Sequence, residues 1–377
     1  MVISTLVSYV SFPKEIIDFS NQLGKVILTI AMVAIGLKIK FKTLWESGKR
    51  GLLFGAIVFG AMLIFLFTLL FLNCSDGDLS QEVISFDSVA TQSCSSNGIL
   101  YKIKEQEALL IQIPSSTFTN EPTIAGSPVI IDINSTNRVV YRFYNGSIPS
   151  NMFCETIPPS SPSVSDEWIA TAGKIEITTT AIKSTNTTTG QTTITGYNHS
   201  IVLKNITFAK QNGTQVYETF VFGDYNRTIT PIALGFDTTL EQCSTSKQIY
   251  NHTSSEAITL DNLDTALIQN QITPLNSPRT AVIGTTNNKL SYRLFTNGVL
   301  TPNYFCNTTL PTIPAISQEW IAEAGVTSVK GIIEVTTTNV LNTYTHRIVI
   351  KKATLVKGNN NFYLGDNYIL GDLITTN

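Results

Sequence analysis

The sequence predicts a mainly β protein, with two tandem β-sandwich-like domains, the Ig-like form among them, preceded by one or two N-terminal membrane helices. Three observations predict it. Self-similarity at a period of about 150 residues runs through the last three quarters of the chain. Inside each copy, short runs rich in Val, Ile, Thr, Tyr and Phe alternate with Asn, Gly, Ser and Pro. Ahead of both copies lies a long apolar run without a charge.

Residues 1–73 read as the membrane segment. Residues 51–72, GLLFGAIVFGAMLIFLFTLLFL, are 22 uncharged positions, enough at 1.5 Å per residue to cross a hydrocarbon core of roughly 30 Å. Residues 16–37 form a weaker span, because Asp18, Asn21, Gln22 and Lys25 interrupt it. Lys38, Lys40, Lys42, Lys49 and Arg50 face only Glu46 between the two spans, so the positive-inside rule puts that loop in the cytoplasm and everything after Leu72 outside. Residues 1–50 hold seven Lys/Arg against three acids, a net of +4, so the rest of the chain carries −6 of the total −2. That balance gives no basic patch for nucleic acid.

Residues 74–84 read as a linker, 85–230 as the first β domain and 234–377 as the second, with the junction near 226–234. The segment YRFYNGSIPSNMFCETIPPSSPSVSDEWIATAG (141–173) reappears as YRLFTNGVLTPNYFCNTTLPTIPAISQEWIAEAG (292–325). NHSIVLKNITF (198–208) matches THRIVIKKATL (345–355), and Phe222-Gly223-Asp224 pairs with Leu364-Gly365-Asp366 at the ends. Strands are expected at 129–133, 139–144, 174–180, 200–203 and 216–222. The Thr-rich stretch 178–196 reads as a hairpin, and Ser-x-Glu at 165–167 and its counterpart at 317–319 would each start one helical turn carrying a Trp.

Five cysteines sort into Cys94 with Cys154, Cys243 with Cys306, and Cys74 alone. The matching spacing in two copies points to two disulfides and therefore to an oxidising compartment. Trp168 and Trp320 each follow a repeat cysteine by fourteen residues and are expected in the same core as the bridge. Arg142 and Arg293 are expected to pair with an acid across the sheet.

Catalytic patterns are lacking. Among three histidines, His199 and His346 occupy equivalent positions and read as half-exposed strand residues. There is no HExxH, CxxC, GxSxG or glycine-rich phosphate loop, and Asp76-Gly77-Asp78 lacks the remaining ligands of a calcium loop. No cofactor, metal site or catalytic residue is expected. Acid pairs distant in sequence leave a secreted hydrolase using Asp/Glu as an alternative.

Residues 25–60, KVILTIAMVAIGLKIKFKTLWESGKRGLLFGAIVFG, resemble the carboxy-terminal end of YeiH-type sulfate exporters. That resemblance implies a transport-related membrane protein, truncated or fused, and family members have many more spans than this chain. LFLNCSDGDL (70–79) is similar to the end of a bacterial lipoprotein signal, which implies lipidation at Cys74. The tandem repeat resembles uncharacterised secreted or lipid-anchored β-rich proteins of Gram-negative bacteria, which implies the periplasm or the cell surface. Together these readings give an anchored extracytoplasmic protein whose two domains bind or space something. The expected partners are the membrane and either carbohydrate or another surface protein.

Overall fold

The computed structural model describes residues 83–376 apart from Ser96, together with scattered residues between Lys25 and Met62. Two compact units divide at Gln81 and Glu82. In the first, Leu53, Gly55 and residues 57–62 are helical. Cys74 and most of the expected spans at 16–37 and 51–72 lie outside the described residues. Among the described residues no helix is long and apolar enough to cross a membrane.

The second unit is mainly β and consists of two curled sheets, one for each copy of the repeat. The first copy supplies β1 (Gln92–Ser93), β2 (Ile99–Lys104), β3 (Glu107–Gln112), β4 (Val129–Asp132), β5 (Arg138–Tyr144), β6 (Val164–Thr185), β7 (Thr192–Lys210) and β8 (Gly213–Thr228). They pair in the order β1-β2-β3-β5-β6-β7-β8, with β4 beside β6. Four of the five expected strands fall inside these elements, and the fifth, 129–133, overruns β4 by one residue. The register of β6 slips between Ala170 and Lys174, and the strand changes partner there, from β5 before the slip to β4 after it. Such bulges bend a strand and raise its twist, which is how one sheet curls over its own core.

The second copy repeats the plan with the bend turned into a break. Its strands are β9 (Thr239–Gln242), β10 (Ile249–His252), β11 (Glu256–Asp261), β12 (Arg279–Val282), β13 (Lys289–Thr296), β14 (Ala315–Ala322), β15 (Ile332–Val340), β16 (Thr343–Lys351), β17 (Thr354–Lys357), β18 (Asn360–Tyr363) and β19 (Tyr368–Thr376). β14 with β15 stands for β6, β16 with β17 for β7, and β18 with β19 for β8. His199 faces Tyr225 and His346 faces Leu373 across equivalent ladders, so Gly223-Asp224 corresponds to Gly371-Asp372. This corrects the match to Leu364-Gly365-Asp366. The chain carries Leu-Gly-Asp twice, and only strand pairing decides which one ends the repeat. Both Gly223 and Gly371 have positive φ beside a register slip, where a side chain is strained.

The expected helical turns are strand. Ser165 and Ser317 do not cap a helix; their hydroxyls donate instead to the carbonyls of Phe143 and Leu294 on the next strand. Cross-strand pairing and burial of alternate residues override the local Ser-x-Glu signal. Arg142 and Arg293 sit opposite Glu167 and Glu319 and bond to them at 2.5 and 2.8 Å.

Each sheet is buried on two faces, and this separates the tryptophans from the bridges. Leu100, Leu109, Ile111, Tyr141 and Trp168 point into the main core of the first copy. Their neighbours Tyr101, Ala108 and Leu110 point the other way, against a cap formed by Ile148, Met152 and Phe153. Strands buried on both sides read as continuous apolar runs, as ALLI (108–111) does here. Cys94–Cys154 and Cys243–Cys306 are bridged at S–S distances of 2.05 and 2.08 Å, and both bridges lie in the cap clusters. The expectation of one shared core is therefore corrected: Trp168 and Trp320 are buried in the main cores, each across the sheet from its bridge.

Each bridge pins a cap loop and spans 60 or 63 residues. Replacing Cys94 and Cys154 together by Ser is expected to lower unfolding free energy by about 4 kcal/mol. Denaturant titration of the double variant measures it, and a loss well under 1 kcal/mol would contradict the assignment.

Candidate functional site

The two copies meet chiefly at one hairpin, helped by residues 120–122 of the first copy. The β6–β7 hairpin extends well past the length of its counterpart β15–β16, because residues 183–195 have no equivalent in the second copy. This is the Thr-rich stretch, and it is a hairpin as expected. Its tip is an Asx turn in which Asn186 Oδ1 accepts from the Thr188 and Thr189 amides and the Gly190 amide donates to the Asn186 carbonyl.

The tip seats on the second copy through both backbone and side chains. The Asp366 amide donates to the Thr189 carbonyl at 2.9 Å and the Tyr363 amide to Thr192 Oγ1 at 2.8 Å. Lys183 Nζ donates to Asn361 Oδ1 at 2.6 Å and the Tyr197 hydroxyl to Asn360 Oδ1 at 2.9 Å. From the base of the first copy, Glu121 accepts from the Asn359 amide, while the carbonyls of Asn120 and Pro122 accept from Asn360 and Asn359. Ile194 and Tyr197 are buried in the main core of the second copy, although their strand belongs to the first.

A cavity of ≈ 270 Å³ lies along this joint, lined among others by Ile194, Tyr197, Leu294, Trp320, Glu256 and Lys357. Trp320 donates its indole N–H to Gln318 Oε1 and lies under the Lys357 ammonium, 5.6 Å from it. Burial, with the Glu256 carboxylate beside it, holds the Tyr292 hydroxyl far above its usual range, and the same causes push Tyr368 up to about 12. The lining offers aromatic contact area, one carboxylate and one ammonium. Trp168 has equivalent partners in Asp166 and Lys210, at 2.8 Å and 4.4 Å, so both tryptophans are held structural side chains.

A second opening marks where the copies differ. In the second copy β9 pairs in parallel with β19, and the Asp372 amide donates to the Thr238 carbonyl at 2.7 Å. In the first copy β8 is the last of the described strands in the sheet, and a polar cleft of ≈ 550 Å³ lies between residues 87–93 and 223–226. Lys102 is buried at its floor, donating to the Phe86 carbonyl at 3.3 Å, with its ammonium 5.5 Å from the Phe222 ring. Burial pulls the Lys102 pKa down, and Asp87 and Asp224 oppose that pull. Asn251 occupies the equivalent position and donates to the Asp237 carbonyl. A Cβ on Gly223 would lie 2.7 Å from Lys102 Nζ, whereas one on Gly371 would lie 2.8 Å from the Thr238 carbonyl oxygen. The lysine thus takes the space that a strand fills in the second copy.

The histidines are placed differently from expectation. His199 and His346 are fully buried, each with Nδ1 2.9 Å from a threonine hydroxyl, Thr179 and Thr337. His346 Nε2 also meets Thr375 Oγ1 at 2.9 Å, while His199 is packed between Phe118 and Tyr225. The sheets curl enough to cover both faces of these strands, which period-2 reading cannot show. Among the described residues no three His, Cys, Asp or Glu side chains group closely enough to hold a metal ion.

Residues 1–55 match the model of a family described as conserved hypothetical protein 698. That is the YeiH family, and the match ends before the β region begins. No curated protein and no solved structure matches the chain.

Two outcomes are expected at this site. Ile194→Ala together with Tyr197→Ala should cost about 4–8 kcal/mol, since each removes a buried side chain, and calorimetry should then show the two copies melting separately. Persistence of one unshifted transition would mean the hairpin does not couple them. Burial, with Arg227 nearby, lowers the His199 pKa from 6.5 to about 4, and His346 is lowered by burial and Arg279. The unfolded chain therefore takes up these protons first, so stability is complete above pH 6.5 and falls as the pH drops toward 4. For His199 alone the loss at pH 4 is on the order of 3 kcal/mol. Unfolding curves at neutral pH and near pH 4 measure it, and equal stability would contradict the burial.

Proposed function

We propose that the chain is a membrane-anchored extracytoplasmic protein whose two duplicated β domains, each folded over in the manner of a sandwich, bind a partner or hold it away from the membrane. The observation that carries this reading is the pair of disulfides at equivalent positions in the two copies. Bridges of this kind persist in oxidising compartments, and the basic loop ahead of residues 51–72 orients the β region the same way. The hairpin that joins the copies favours a spacing or display role, because it fixes one copy against the other through backbone as well as side-chain bonds.

The partner classes are carbohydrate or another surface protein, met through the exposed faces and the joint cavity. The protein acts without catalysis in this reading. Residues 51–72 serve as the span and Cys74 as the site of lipid attachment. The family match at residues 1–55 favours a second reading, association with a complete transporter.

Labelling cells with a clickable fatty acid tests the anchor. Wild type should incorporate the label and Cys74→Ser should lose it nearly completely; equal labelling removes the lipid anchor from the proposal. Protease added to intact spheroplasts should digest the β region after mild reduction, and full protection would place it in the cytoplasm. Co-purification of a multi-span transporter with the tagged chain would support the second reading, and its absence would sink it.

A further inference from the structure

The cavity along the joint has one charge of each sign in its wall, and strand pairing shows how the two are set apart. Glu256 on β11 pairs with Leu294 on β13, and Leu294 pairs with Gln318 on β14. Trp320 is two residues farther along β14, on the same face. Lys357 follows Val356, which pairs with Ile321, so it stands opposite Trp320 on β17. Ile258, Trp320 and Leu355 belong to the main core of the second copy, and alternation puts Glu256, Gln318 and Lys357 on that same face. From Glu256 to Lys357 the row crosses three strand spacings, about 14 Å between backbones. Among the described residues neither side chain forms an ion pair, with the other or with a third group. We propose that this cavity binds a free amino acid with a branched apolar side chain, its ammonium on Glu256 and its carboxylate on Lys357.

The wall selects by charge. A simple amine would meet Lys357 and a simple carboxylic acid would meet Glu256, each a like charge, whereas a zwitterion meets an opposite charge at both ends. Glu256 and Lys357 are themselves half-buried, and charges partly removed from water are favourable only when paired. Between them the wall is apolar: Leu294 lies in the row, and the hairpin and the segment after β8 bring Ile194, Ile229 and Ile232. The volume of ≈ 270 Å³ is below the roughly 300–1,000 Å³ of sites for drug-sized ligands, so the ligand is small. A sugar ring stacks on an open indole face, and Trp320 has none. It is 3% exposed, with the Lys357 ammonium 5.6 Å from its ring and the Phe362 ring at 5.1 Å in an edge contact.

Both copies fix the site. Tyr197 of the first repeat lines the cavity and donates to Asn360, which pairs with Lys357 across the β17–β18 turn. A ligand held between Glu256 and Lys357 therefore stabilises the joint by mass action. The site lies wholly within the β region and goes beyond the partner-holding role, needing neither the anchor nor a surface partner.

The test titrates L-leucine into the full-length, disulfide-bonded protein in detergent and follows heat. Leucine should bind saturably. Isoamylamine and isocaproic acid, which each lack one of its charges, should bind about tenfold or more weakly. Lys357→Met keeps the stem over Trp320 and removes the ammonium; it should weaken leucine about tenfold while strengthening isoamylamine. Glu256→Gln should weaken leucine to a similar degree while strengthening isocaproic acid. A damaged fold would weaken every ligand and cannot produce this exchange of preference. No saturable binding of leucine up to about 10 mM, analogues as tight as leucine, or variants without the exchange would each overturn the proposal. None of these outcomes alters fatty-acid labelling or protease access, so the two proposals fail separately.

Discussion

Ile194 and Tyr197 are tied to the first repeat by the ladder of β6 and β7, yet their side chains lie in the core of the second. The rest of the β region depends on this sharing. Burying two large side chains across a joint contributes several kcal/mol, a large fraction of what holds an ordinary domain together. Inter-domain contacts that are small and polar leave domains free to move. Here the contact includes a core, so the two copies behave as one body and the second requires the first to be complete.

The same economy appears within each copy. A single curled sheet faces two ways, toward a main core with a tryptophan and toward a small cap with a disulfide. The cap is too small to be stable by apolar burial alone, and the covalent link holds its loop in place. The main core has no such need, which is why the tryptophans sit away from the bridges.

Duplication gave both copies the same plan, and divergence then acted at their edges. The first copy keeps long strands, a projecting hairpin and a lysine where the second closes its sheet with a parallel pair. The second copy has broken strands and a short hairpin tipped by an exposed leucine. A parallel strand closes the sheet edge in the second copy, and among the described residues no strand takes that place in the first.

The sequence alone determined the β class, the repeat, the cysteine pairing, the arginine partners and the hairpin, because each depends on local composition or on spacing seen twice. Trp168 and Trp320 were legible as core residues for the same reason. The tertiary structure alone decided that the hairpin belongs to two cores, that the bridges and tryptophans lie on opposite faces, that His199 and His346 are buried, and which Leu-Gly-Asp ends the repeat. Those outcomes depend on curvature and register, which arise from bulges and from contacts between residues some 170 positions apart, such as Lys183 with Asn361 and Thr192 with Tyr363. Alternation along one strand shows which residues share a face, but what covers that face is set by the chain that folds over it.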